Sequence, residues 1–103
     1  MTAFDIRLEA RLPEKNLARA YHVIVFRDLF GVWVVEITFG RIGARGRTKR
    51  YSVSDIEAVR PHLRRILRRR LTAPRRLGVA YRCQSLFDPQ GWLAEDGLLA
   101  VAA

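Results

Sequence analysis

One hundred and three residues, half of them hydrophobic and 28% charged, describe one small globular domain rather than a multi-domain enzyme. Folding at this length hides only about 60 to 65% of the surface of the unfolded chain, enough for one sheet and one helix, and cofactor-sized pockets are not expected. Nineteen Lys and Arg against ten Asp and Glu leave a charge of +9, which points to a polyanionic partner, nucleic acid first.

In chain order, Phe4 to Leu12 alternates apolar and charged residues, the period-two signature of a half-buried strand. A second strand is predicted from Ala20 to Arg27. Its apolar residues Tyr21, Val23, Ile24, Val25 and Phe26 fall on both faces, as in an interior strand covered on each side. Asp28-Leu29-Phe30-Gly31 suits a type I turn into a third strand, Val32 to Phe39, with Trp33, Val35, Ile37 and Phe39 on one face. The glycine-spaced connection Gly40 to Gly46 then leads into a fourth strand, Arg47 to Val53, as a second hairpin.

Ser54-Asp55-Ile56-Glu57 matches a capping box and predicts a helix start. Ile56, Val59, Leu63, Ile66, Leu67 and Leu71 recur at three- and four-residue steps, one apolar stripe on a helix of roughly 18 residues. Pro61 inside it predicts a kink, or a short turn and a main helix from 61. Pro74 closes the helix region, and Gly78 to Cys83 adds a last short strand. The expected fold is α+β: an antiparallel sheet of four to five strands with one long helix across it, either kinked at Pro61 or restarting there. Residues 1–83 form the domain and 84–103 an extension, either a short helix capped by Asp88 and carrying Trp92 or a frayed end.

The charge is not spread evenly. Residues 1–40 sum to zero, 41–82 to +12 and 83–103 to −3. Six arginines stand between 60 and 70 with no acid among them. Arg60, Arg64 and Arg68 follow at four-residue spacing, flanked by Arg65 and Arg69. Such a row tracks a phosphate backbone through paired guanidinium donors; alternatively it is a solvated face screened by Asp88, Glu95 and Asp96. Like charges at that spacing repel without a partner.

Other chemistry is poorly supported. The Gly40–Gly46 loop lacks the Lys-Ser/Thr ending of a phosphate-cradling loop and precedes a strand, not a helix. His22 and His62 have no metal-ligand spacing, and Cys83 stands alone as a small buried hydrophobe. No nucleophile–base order or carboxylate pair suggests catalysis. No cofactor, metal or small-molecule substrate is expected. Without a signal peptide or a membrane span, the chain reads as a soluble cytoplasmic protein.

Three segments together resemble the WGR domain: Asn16-Leu17-Ala18-Arg19-Ala20-Tyr21, Asp28-Leu29-Phe30-Gly31-Val32-Trp33, and Phe39-Gly40-Arg41-Ile42-Gly43-Ala44-Arg45-Gly46 before a capped helix. The resemblance runs from about residue 4 to 82. That family is named for a Trp-Gly-Arg tripeptide and occurs in poly(ADP-ribose) polymerases and as short stand-alone bacterial proteins. It implies an antiparallel sheet with one helix packed across it, and recognition of DNA ends. The tripeptide's aromatic residue would lie near the terminal nucleotide and its Arg would contact other domains. Those roles fall on Phe39 and Arg41. Phe39 keeps a ring but loses the indole donor, and Arg41, with no partner domain in this chain, is expected on phosphate instead.

The sequence therefore predicts a non-catalytic nucleic-acid-binding domain, for duplex DNA or DNA ends. The expected contacts are Phe39, Gly40, Arg41, Arg45, Arg47, Lys49 and Arg50 on the hairpin, with Arg60, Arg64, Arg65, Arg68 and Arg69 on the helix. The alternative is an interaction or adaptor module that docks an acidic protein, or a homodimer formed through Trp92, Leu93, Leu98, Leu99 and Val101, with no nucleic-acid ligand.

Overall fold

A computed structural model describes all residues, 1–103. Five strands form one antiparallel sheet: β1 (Thr2–Leu12), β2 (Leu17–Arg27), β3 (Trp33–Arg41), β4 (Arg47–Val53) and β5 (Arg82–Phe87), in the order β4-β3-β2-β1-β5. Period-two alternation sends Phe4, Ile6, Leu8, Val23, Val25, Val35 and Ile37 to one face, where all are buried. Over β3 and β4 lies helix α1 (Ile56–Leu71). The fold is α+β, as the sequence predicted.

Several elements differ in detail. β2 is interior to the sheet, but its second face is not covered: Ile24 and Phe26 stay half-buried there. Asp55, not Ser54, caps α1, its carboxylate accepting from the Ala58 amide at 2.9 Å. Asp caps as well as Ser and adds negative charge at the helix N-terminus. The helix runs through Pro61 as one 16-residue element, rather than restarting there. Pro61 removes only the bond to the Glu57 carbonyl, while Val59, Leu63, Ile66 and Leu67 on both sides of it are buried against the sheet. Beyond Thr72 the chain turns again as α2 (Ala73–Leu77) instead of ending its helical course, and the last strand starts at Arg82, later than Gly78.

The C-terminal segment is built in. The Asp88 carboxylate accepts from the amides of Trp92 and Leu93, each at 3.0 Å, starting the short helix α3 (Trp92–Glu95). Trp92 stacks on Phe4 at 6.0 Å between centroids. Trp92, Leu93, Leu98 and Val101 all belong to the one hydrophobic core. Of the tail hydrophobics nominated for a dimer surface, Leu99 alone is exposed.

Candidate nucleic-acid interface

The site lies where the C-terminal half of α1 meets the ends of β2, β3 and β4. The β3–β4 hairpin closes there on two glycines. A Cβ on Gly40 would come within 2.8 Å of the Gly46 Cα, and one on Gly46, whose φ is +76°, within 2.6 Å of the Phe39 carbonyl oxygen. Only glycine permits so tight a base, and the loop from Arg41 to Arg45 projects from it. Arg41 is not free to swing. Its Nη1 donates to the Asn16 carbonyl and its Nη2 to Asn16 Oδ1, both at 3.1 Å. Asn16 itself sits in the left-handed region at φ 51°.

A groove with two lobes opens beside this hairpin. The larger lobe, about 510 Å³, is lined by Lys15, Arg19, Arg41 and Arg70 together with Tyr21, Phe39 and Tyr81. The smaller, about 310 Å³, is lined by Lys49, Arg65, Arg69 and Arg70 together with Tyr21, Phe39 and Tyr51. Seven cations face the groove, and no carboxylate lines either lobe. The expectation that so small a domain lacks a cofactor-sized cavity is thus corrected. The helix packs over β3 and β4, covers only part of this face of the sheet and leaves its end open.

Arg70 joins the lobes. Its guanidinium lies 4.2 Å from the centre of the Tyr21 ring and 5.9 Å from that of Tyr81, a stacked cation–π contact. Its Nε is buried and has no hydrogen-bond partner. Burial pushes the Tyr21 phenol above its ordinary pKa, while the charge of Arg70 pulls the other way. Lys49 Nζ stands 5.7 Å over the Phe39 ring. Arg65 donates to His62 Nδ1 at 3.2 Å, and His62 in turn stacks on Tyr51. Arg76 folds back to donate to the Arg69 carbonyl. Its pKa is lowered, first by desolvation and then by repulsion from Arg69 and Arg70.

The residues singled out from the sequence divide. Phe39, Gly40, Arg41, Lys49, Arg65 and Arg69 are brought together around the groove. Arg45 and Arg47 are exposed on the hairpin beside it, and Arg68 is exposed on the helix. Arg50 points to the other face of the sheet and pairs with Glu36. Arg60 and Arg64 lie on the far flank of α1 and are held by the tail: Arg60 contacts Glu95 at 3.0 Å and Asp96 at 2.9 Å, and Arg64 reaches Asp96 at 3.4 Å. Lys15, Arg19, Tyr21, Arg70 and Tyr81 were missed. The Arg70 signal was in the sequence, since 70 stands four after Ile66 and three after Leu67, on the apolar stripe itself. No His, Cys, Asp and Glu cluster suits a metal. His22 instead meets Asp5 at 2.8 Å on the open face.

A family model for the WGR domain matches residues 4–73. The chain belongs to the WGR domain family. WGR domains are small non-catalytic modules, known as nucleic-acid-binding units of PARP-like proteins. The groove lies almost wholly within the WGR match, Tyr81 being the one lining residue outside it. No curated protein and no solved structure matches this WGR chain. No helix in it is long and apolar enough to cross a membrane.

Proposed function

We propose that this WGR domain binds nucleic acid without catalysis, and that its ligand is DNA held at an end of the duplex. The observation that carries this reading is the groove: seven cations interleaved with four aromatic rings, and no carboxylate among its lining residues. Guanidinium and ammonium groups without acidic partners are held at a cost in mutual repulsion that phosphate relieves. Around the buried Tyr21, the half-buried rings of Phe39, Tyr51 and Tyr81 give a base or sugar at a chain terminus aromatic surface to pack on. Arg45 and Arg47, exposed on the hairpin beside the groove, would meet the backbone running away from it. Phosphate contacts position without reading sequence, so binding is general in sequence. A nucleic-acid ligand and a single unpaired cysteine fit action in the cytoplasm.

The adaptor reading loses its main support, because four of its five tail hydrophobics fill the domain's own core. Titration of a labelled DNA duplex between about 50 and 200 mM salt tests the proposal. Six phosphate contacts give log K against log salt a slope near −5. A flat response removes nucleic acid as the ligand.

A further inference from the structure

We infer that the groove takes an unpaired strand, at least two nucleotides long, so that the tightest ligand is a DNA end with a single-stranded extension rather than a blunt one. This rests on the nucleic-acid reading above and adds the form of the strand that enters.

Size argues first. Lobes of about 510 and 310 Å³ are small-molecule cavities, each roomy enough for one nucleotide. A base-paired helix meets a protein as a rod and cannot enter a cleft between α1 and the sheet, whereas a splayed nucleotide can. Chemistry argues second. Contacts to a duplex backbone need cations alone, because paired bases are stacked on one another. Here each lobe holds half-buried rings as well, Phe39 and Tyr81 in one and Phe39 and Tyr51 in the other, around the buried Tyr21 that lines both. Aromatic platforms inside a cationic groove are the means by which proteins hold unpaired bases irrespective of sequence.

The arrangement about Arg70 argues third. Three cations (Lys15, Arg19, Arg41) stand in one lobe, three (Lys49, Arg65, Arg69) in the other, and Arg70 lines both. Two adjacent nucleotides present the same order: a base on each side and a phosphate between them. Arg70, held over Tyr21 and lining both lobes, suits the linking phosphate.

Fluorescence anisotropy at one salt concentration, with the full chain, tests this using four probes. These are a blunt DNA duplex, the same duplex with a four-nucleotide overhang, the single DNA strand, and an RNA strand of the same sequence. 2-Aminopurine at the first two unpaired positions reports stacking. The expected result is at least tenfold tighter binding of the overhang duplex than the blunt one, with a change in 2-aminopurine emission at both positions. The RNA strand tells whether the sugar matters; tight binding of either strand supports an unpaired ligand. K49Q/R69Q, two exposed positions, is expected to weaken the overhang duplex and the single strand more than the blunt duplex, and so to remove most of the overhang's advantage. F39L is expected to keep the fold and lose the emission change. Equal affinity for blunt and overhang duplexes with silent 2-aminopurine overturns the inference while leaving the nucleic-acid reading standing. Failure of all four probes to bind overturns both.

Discussion

The two flanks of α1 carry the same residue type and do different work. On one, Arg60 and Arg64 are drawn to Asp96, whose side chain is only 8% exposed, and Arg60 also to Glu95. On the other, Arg65 and Arg69 open onto the groove with no carboxylate in reach of its lining, and Arg70 is laid on Tyr21. The first flank fastens the C-terminal segment to the domain; the second is left for an anion from outside. A guanidinium count along a helix therefore overstates ligand-binding charge. What decides is which flank the chain's own few acids reach, and a difference of one residue, Arg64 against Arg65, moves a side chain by about 100° around the axis.

The largest expected effect breaks the fastened flank. Trp92→Ala removes the ring stacked on Phe4 and is expected to cost about 3–5 kcal/mol of stability, read by urea unfolding. No loss would mean that the tail is not seated in the core. For the same reason, removing residues 84–103 is expected to unfold the domain, since it takes most of β5 with four core side chains.

Asp96→Asn sharpens the comparison by freeing Arg60 and Arg64 without emptying the core. Stability is expected to fall by about 1–2 kcal/mol, because the Arg60 head group loses its most buried partner. DNA affinity is expected to rise, because charge is released on the first flank. Unchanged affinity would show that this flank lies out of reach of the ligand.

The smallest effect concerns the groove side. Burial raises the Tyr21 pKa in the folded chain. The folded state then keeps its proton after the unfolded state has lost it, so the contribution is complete below about pH 10 and is lost as pH rises from there through the folded value. Tyr21→Phe is expected to flatten the fall in stability above about pH 10, measured in a Cys83→Ser background because the Cys83 thiol is also raised by burial. A slope unchanged by Tyr21→Phe would place the alkaline loss elsewhere.

Sheet and helix were legible because their hydrophobic periods are strong: Phe4 to Leu12 alternates cleanly, and Val59, Leu63, Ile66 and Leu67 mark one stripe. The tail was not legible, since its short turns at Gly91 and Gly97, both with positive φ, break any period. Its anchor is instead one carboxylate, Asp88, and the fit of Trp92 against a residue 88 positions earlier in the chain. Half of the groove was legible from the hairpin motif, through Phe39, Arg41 and Lys49. Lys15, Arg19, Tyr21 and Tyr81 come from three other segments that the sheet order brings together, and single-chain spacing carries no trace of that meeting.

The division of α1 into a fastened and an open flank is tested most directly by the salt dependence of DNA binding in two variants. One neutralises the open side, with K49Q, R65Q and R69Q. The other neutralises the fastened side, with R60Q and R64Q, made together with D96N so that no carboxylate is left buried alone. The expected result is a slope of log K against log salt shallower by about 2 to 3 in the first variant and unchanged in the second. Equal losses of slope in both would contradict the account.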